Sequence, residues 1–189
     1  VDLSVGTTDA YVQETGGWDT AAAATVWTRF YVWFGGDPVM ATTNVFAFWQ
    51  LWSSTNTVEA SVGIEYTTAN GYRFFINEAA AAAGAAFIPC ILNKWHCIEI
   101  VALVDSGVGN DGTLDLYVDG AHATQITALD QGAITSGILG AVGIDAGTTR
   151  GILLFDEVVI DDAQIYPHAE RFPTTLLMTK SGHAFVGPG

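Results

Sequence analysis

The stretch KWHCIEIVALVDSGVGNDGTLDLYVDGA, residues 94–121, reads as two long neighbouring strands of one antiparallel sheet. Between Trp95 and Val104, the side chains of Trp95, Cys97, Glu99, Val101 and Leu103 share one face. Those of His96, Ile98, Ile100, Ala102 and Val104 share the other, because successive side chains of a strand point to opposite sides. The second set is the cleaner apolar stripe and is the predicted core face; a slip of one residue would exchange the two sets. Residues 106–112 are rich in Gly, Asn and Asp, as a turn needs where the backbone visits positive φ. Beyond it Leu114, Leu116 and Val118 alternate with Thr113, Asp115, Tyr117 and Asp119, and Asp119-Gly120 is a hairpin signal.

Working outward, the same period recurs. Val26, Thr28, Phe30, Val32 and Phe34 alternate with Trp27, Arg29, Tyr31 and Trp33; both faces are bulky, which predicts partial cover on each. Gly35-Gly36-Asp37-Pro38 ends that strand. Further strands are predicted over residues 45–52, 58–66 and 72–77, the last two joined through Asn70-Gly71. The alanine run 78–86 is too short and too uniform for an amphipathic helix and reads as a loop or strand edge. Residues 137–144 are dotted with glycine, which suits a curved or bulged strand, and residues 151–160 form a long apolar strand carrying Asp156 and Glu157. About a dozen short strands without a convincing helix predict an all-β, two-sheet antiparallel sandwich.

Trp95-His96, the strand after it and DGTLDLYVDG, with FDEVVIDDAQIYP at residues 155–167, resemble the concanavalin A-like, laminin-G-like jelly-roll superfamily, of the kind found in phage and bacterial extracellular proteins. The resemblance implies a concanavalin A-like jelly roll over residues 1–167. Residues 168–189 then form a short irregular C-terminal extension, a linker or an arm packing on a neighbour. The superfamily includes lectins, glycoside hydrolases, polysaccharide lyases, adhesion modules and virion proteins, so it constrains fold more than activity. Val1 in place of an initiator Met, and a Gly/Pro-rich phrase ending at Gly189, suggest a segment of a longer or processed chain.

A net charge of −14, from 20 acidic and 6 basic residues, argues against nucleic acid or an anionic membrane as partner, since too few cations exist to neutralise phosphates. Apolar runs are broken by charge, Gly and Pro well before a spanning length.

No Ser or Cys stands in a nucleophile-elbow context, and His96 and Cys97, as strand neighbours, point apart. Phosphate-binding, dinucleotide and HExxH motifs are absent. The superfamily's hydrolases carry alternating acids on one strand, E-x-D-x-x-E or E-x-D-x-E; the nearest approaches, Asp115 with Asp119 and the group Asp156, Glu157, Asp161 and Asp162, do not complete it. Calcium ligands could come from Asp105, Asn110 and Asp111, or from Asp161 and Asp162; otherwise no cofactor is expected. Of the six tryptophans, Trp18 and Trp52 are the predicted sugar platforms, the rest reading as core. Trp95, Tyr117, Asp119, Gly120 and Asp156 are predicted to be structural, one of Asp156 and Glu157 lying on the buried side and paired with Arg150 or Arg29. Cys90 and Cys97 could form a short disulfide loop or be two small buried hydrophobes.

The expectation is therefore a non-enzymatic, virion-associated or extracellular module, a phage capsid or decoration protein docking on other structural subunits as a homo-oligomer or array. The alternative is a carbohydrate-binding module, calcium-assisted or not; a glycoside hydrolase or polysaccharide lyase ranks behind both.

Overall fold

A computed structural model describes residues 3, 9–15, 25–53, 57–78, 86–143, 149–161, 177–178 and 184–185. The strands are β1 (Ala10–Thr15), β2 (Thr25–Val39), β3 (Val45–Ser53), β4 (Val58–Thr67), β5 (Gly71–Asn77), β6 (Ala86–Pro89), β7 (Trp95–Leu103), β8 (Gly112–Val118), β9 (Ala121–Leu129), β10 (Ile134–Val142), β11 (Arg150–Asp161), β12 (Leu177–Met178) and β13 (Ala184–Phe185). No helix occurs among the described residues. Six strands form one antiparallel sheet in the order β1-β10-β3-β4-β5-β6, and five form the other in the order β11-β2-β7-β8-β9. The short pair β12–β13 lies within the stretch expected to be an irregular extension.

The two predicted stripes meet as expected. Phe30, Val32 and Phe34 from β2, Ile98, Ile100 and Ala102 from β7, and Leu114 and Leu116 from β8 are buried against Phe46, Phe48, Ile64 and Phe74 of the opposite sheet. The aromatic rings interlock edge to face: Phe30 lies 5.8 Å from Phe48 at 85° and 5.9 Å from Phe155 at 65°. That arrangement sets positive ring edges against negative ring faces and adds to simple burial. Each fully buried ring of this kind is worth roughly 1.5–3 kcal/mol of transfer free energy.

Two bulges shift positions that simple alternation misplaces. The register of β3 against β4 slips between Ala47 and Trp49, so Phe46, Phe48 and Trp49 all enter the core cluster. The register of β11 against β2 slips between Asp156 and Val159, with Glu157 at φ 49°. Consequently Asp156 and Glu157 are both exposed, which corrects the expectation that one of them is buried and paired. An extra residue breaks the strict alternation of faces. Asp156 instead accepts the Glu157 amide through Oδ1 at 2.9 Å.

Tight turns follow the sequence. Asp119 and Gly120 have φ of 53° and 79°, the pair of positive values a two-residue hairpin turn needs. The Asp119 carboxylate also ties β8 back to the entry of β7. It accepts from the Cys97 amide (3.0 Å) and from Lys94 Nζ (2.8 Å), and it lies 3.0 Å from His96 Nδ1. Asp119 and Gly120 thus close the hairpin that the sequence placed at the centre of the fold.

Candidate functional site

The two outer sheet faces differ in what they offer a ligand. On the six-stranded sheet Gln50, Ser61, Glu65 and Phe75 are buried, and the polar groups there serve each other. Arg73 pairs with Glu65, Trp52 Nε1 donates to Gln50 Oε1 at 3.1 Å, and Gln13 Nε2 donates to Ser136 Oγ at 3.4 Å. A cleft of about 310 Å³ between β1, β10 and β11 is walled by Val12, Trp49, Leu139, Val158 and Ile160, with the Thr28 hydroxyl as its polar element. Such walls carry no acid, base or nucleophile.

The outer face of the five-stranded sheet is partly exposed and chemically mixed. Register sets Arg29 opposite Glu99, Glu99 opposite Tyr117, and Tyr117 opposite His122. Four strands, β2, β7, β8 and β9, therefore build one row of a cation, a carboxyl, a phenol and an imidazole, stepping about 4.8 Å per strand. The adjacent row holds Trp27, Val101, Asp115 and Gln125. Asp115 orients His122: its Oδ1 lies 3.0 Å from His122 Nε2, and its Oδ2 accepts from Gln125 Nε2 at 3.0 Å. In the neutral tautomer that donates its Nε2–H to that carboxylate, Nδ1 carries a free lone pair. The Tyr117 and His122 rings are 4.9 Å apart.

Burial shapes the acidities here. Burial pushes Glu99 above the usual carboxyl range, with Arg29 pulling partly the other way. Only 8% of Glu99 is exposed, and its Oε1 has no hydrogen-bond partner. In the next row, burial and then the charges of Cys97 and Glu157 raise Tyr31. Burial, followed by Glu99, pushes the Cys97 thiol up to about 12. Glu99 is thus buried within the row, with Arg29 on the strand to one side and Tyr117 on the strand to the other.

The sequence-predicted candidates fall in scattered places. Trp18 and Asp162 lie outside the described residues. Trp52 is half-buried on the other sheet with its indole N–H engaged. Asp105 and Asp111 fold the loop between β7 and β8 onto itself: Asp105 Oδ1 accepts from the Asp111 amide (3.0 Å), and Asp111 accepts from the amide and hydroxyl of Ser106 (2.8 Å each). These bonds hold Asp111 down at about 2. Asn110 sits in that turn at φ 55°, and Asp161 ends β11, exposed. Among the described residues no group of three or more His, Cys, Asp or Glu is placed to hold a metal. Cys90 and Cys97 are both free and buried; Cys90 joins the core cluster, whereas Cys97 faces outward beside Tyr31.

Sequence reasoning did not find the row Arg29–Glu99–Tyr117–His122. Its members come from four strands spread over the chain and share no local spacing. The available signal was the second, bulky face of β2, Trp27, Arg29, Tyr31 and Trp33, which is too polar and too aromatic for an idle surface.

No family model and no curated protein matches the sequence. Solved structures do match. The alginate lyase AlyC3 in complex with dimannuronate is 12% identical, with a TM-score of 0.57 over 81% of this chain and 70% of that one. An alginate lyase from Corynebacterium sp. is 13% identical, with a TM-score of 0.52 over 79% of this chain and 61% of that one. The marine alginate lyase AlyA1 from Zobellia galactanivorans, of polysaccharide lyase family 7, is 13% identical, with a TM-score of 0.51 over 79% and 64%. The chain thus spans a little under two thirds of the length of the latter two. These matches correct the expectation of a non-enzymatic virion, capsid or decoration module, and with it the leaning toward phage proteins. A jelly-roll resemblance constrains the fold more than the activity. What the chain shares with the alginate lyases is the two-sheet jelly-roll sandwich itself.

Proposed function

We propose that this chain is the carbohydrate-active domain of an extracellular polysaccharide-degrading enzyme, cutting a uronate-containing chain by β-elimination on the outer face of the five-stranded sheet. The observation that carries the reading is the register that lines up Arg29, Glu99, Tyr117 and His122 in one row. Elimination needs three things: neutralisation of the sugar carboxylate, a base for the C5 proton, and an acid for the departing oxygen. Arg29 supplies the positive charge, with Glu99 across from it on β7. His122, with Nδ1 left unprotonated by the Asp115 contact, takes the C5 proton. The electron pair forms the C4–C5 double bond, the C4–O bond breaks, and the Tyr117 phenol protonates the leaving oxygen. No water is consumed. The alginate lyases that share the fold support a uronate as substrate.

The test is to incubate the full chain with polymannuronate, polyguluronate and pectate and follow the ultraviolet absorbance of the unsaturated product. Cleavage that falls by about 100-fold or more in Tyr117→Phe and in His122→Ala is the expected result. The net charge of −14 opposes a polyanion, so moderate salt should lower KM by screening the repulsion. Absence of unsaturated product from every uronate, or cleavage indifferent to both substitutions, overturns the reading.

A further inference from the structure

We infer that the same face carries a separate sugar-stacking subsite built from Trp33 and Trp95, at the far end of β2 from Trp27. The inference rests on the outer face of the five-stranded sheet being the sugar-facing one. Trp33 and Trp95 are cross-strand partners, so their Cβ atoms stand about 4.5–5.5 Å apart. Gly35 gives Trp33 its pose. A Cβ at that position would lie 2.6 Å from Trp33 Cη2 and Cζ2, so the indole occupies the space a side chain would fill and lies down along the strand. The Asn93 side chain closes over the same glycine and accepts from the Gly36 amide at 3.2 Å. Trp33 is half-buried and Trp95 exposed, so the pair presents ring surface to solvent.

The surroundings match that use. Trp95 is 42% exposed, and the two β11 residues opposite Trp33 and Gly35, Leu154 and Ile152, are 42% and 39% exposed. Large apolar side chains left open together mark a binding surface more often than an idle one. Four residues of β2 separate Arg29 from Trp33, about 13 Å along the strand. That interval leaves the ring pair outside the sugar held at Arg29 but within reach of a neighbouring unit of one continuous chain. A flat ring recognises the apolar C–H face of a pyranose and not its charge. The ligand class is therefore a pyranose chain, neutral or acidic, with the uronate requirement confined to the Arg29 row.

The experiment uses the full chain and two substitutions, Trp95→Ala and Trp33→Ala, each of which removes one ring of the pair and leaves Gly35, Asn93 and the Arg29 row unchanged. Binding of neutral cello-oligosaccharides is read from tryptophan fluorescence, and cleavage of mannuronate oligomers of increasing length is read as kcat and KM. The subsite predicts that wild-type binds the neutral oligomers and that both substitutions weaken binding by about tenfold. It also predicts a rise in KM that appears only with the longer mannuronate oligomers and exceeds any fall in kcat. Neutral oligomers bound through Trp95 without any uronate cleavage leave the subsite standing and remove the elimination reading. Cleavage whose KM ignores both substitutions at every length, or no saccharide binding at all, overturns the subsite.

Discussion

Glu99 faces Arg29 across the β2–β7 pair, yet one oxygen of its buried carboxyl, Oε1, has no hydrogen-bond partner. Burial dominates its pKa and raises it. A folded value above the unfolded one means that the folded chain holds this proton more tightly. The stability that Glu99 contributes is therefore full below the ordinary glutamate range, near pH 4.3, and is lost as pH rises through the raised value. Glu99→Gln should remove that slope: the variant should be more resistant to urea than wild-type at neutral pH and show no advantage in acid. A variant weaker than wild-type at neutral pH would mean that attraction to Arg29 outweighs desolvation.

Asp119 has the opposite sign. Burial works to raise it, but the bonds from Lys94, the Cys97 amide and His96 together outweigh that and hold it below the usual range. Its contribution is present above the ordinary aspartate value, near pH 3.9, and fades as pH falls through the lower folded value. Asp119→Asn should cost about 1–3 kcal/mol at neutral pH, because His96, buried and held on its other side by the Ile91 carbonyl at 3.0 Å, loses a charged acceptor. The Lys94 contact is half exposed and adds little after solvent screening. Urea midpoints at neutral pH and below about pH 4 check both claims, since the deficit should narrow in acid.

Most of the sandwich was legible because its core strands keep strict alternation. His96, Ile98, Ile100 and Ala102 all point inward as the pattern says, and Asn70-Gly71 and Asp119-Gly120 turn where they should. Reading failed where the backbone departs from period two. A bulge turned both Asp156 and Glu157 out to solvent, and nothing local in residues 156–158 announces an extra residue. The functional row was illegible for another reason. Arg29 meets Glu99 only through pairing of strands far apart in sequence, and His122 reaches Tyr117 only because the register shifts after Leu116. The Trp33–Trp95 pair was set aside as core because alternation on a strand with two bulky faces does not say which face is open.

The loop between β7 and β8 should hold its shape without a cation. Asp105 and Asp111 spend oxygens on the loop's own amides and on the Ser106 hydroxyl. Thermal unfolding should therefore be unchanged, within about 1 °C, when calcium is replaced by chelator; a shift of about 2–4 °C, the signature of about 1 kcal/mol in a domain of this size, would assign a bound ion. Asp111→Asn should lower the midpoint equally with and without calcium.

Gly63 offers a test of packing on the six-stranded sheet. A Cβ there would sit 2.6 and 2.7 Å from two ring atoms of Phe75 and would also meet the Phe46 carbonyl. Phe75 is fully buried and has no room to retreat. Gly63→Ala should cost about 1–3 kcal/mol, read as a lower urea midpoint with an unchanged slope. Adding Phe75→Leu should recover only part of the loss, because the carbonyl contact is backbone and stays. Full recovery would place the whole clash on the ring.

The two cysteines should be silent in the native chain. Burial pushes both thiols up to about 12, so at neutral pH the thiolate, the form that reacts, is almost absent. They also point to opposite sides: Cys90 packs into the core cluster, while Cys97 faces outward beside Tyr31. Their side chains thus have the sheet between them, which is the wrong arrangement for a bond that needs Cβ atoms about 3.5–4.5 Å apart. Neither should react with a thiol reagent until urea unfolds the chain, when both should titrate together. Mass spectrometry of the unreduced protein should find no loss of two hydrogens. Fast labelling of Cys97 alone in the folded state would show that the outer face of β7 opens locally, and that Tyr31 and Arg29 cover it less tightly than their burial indicates.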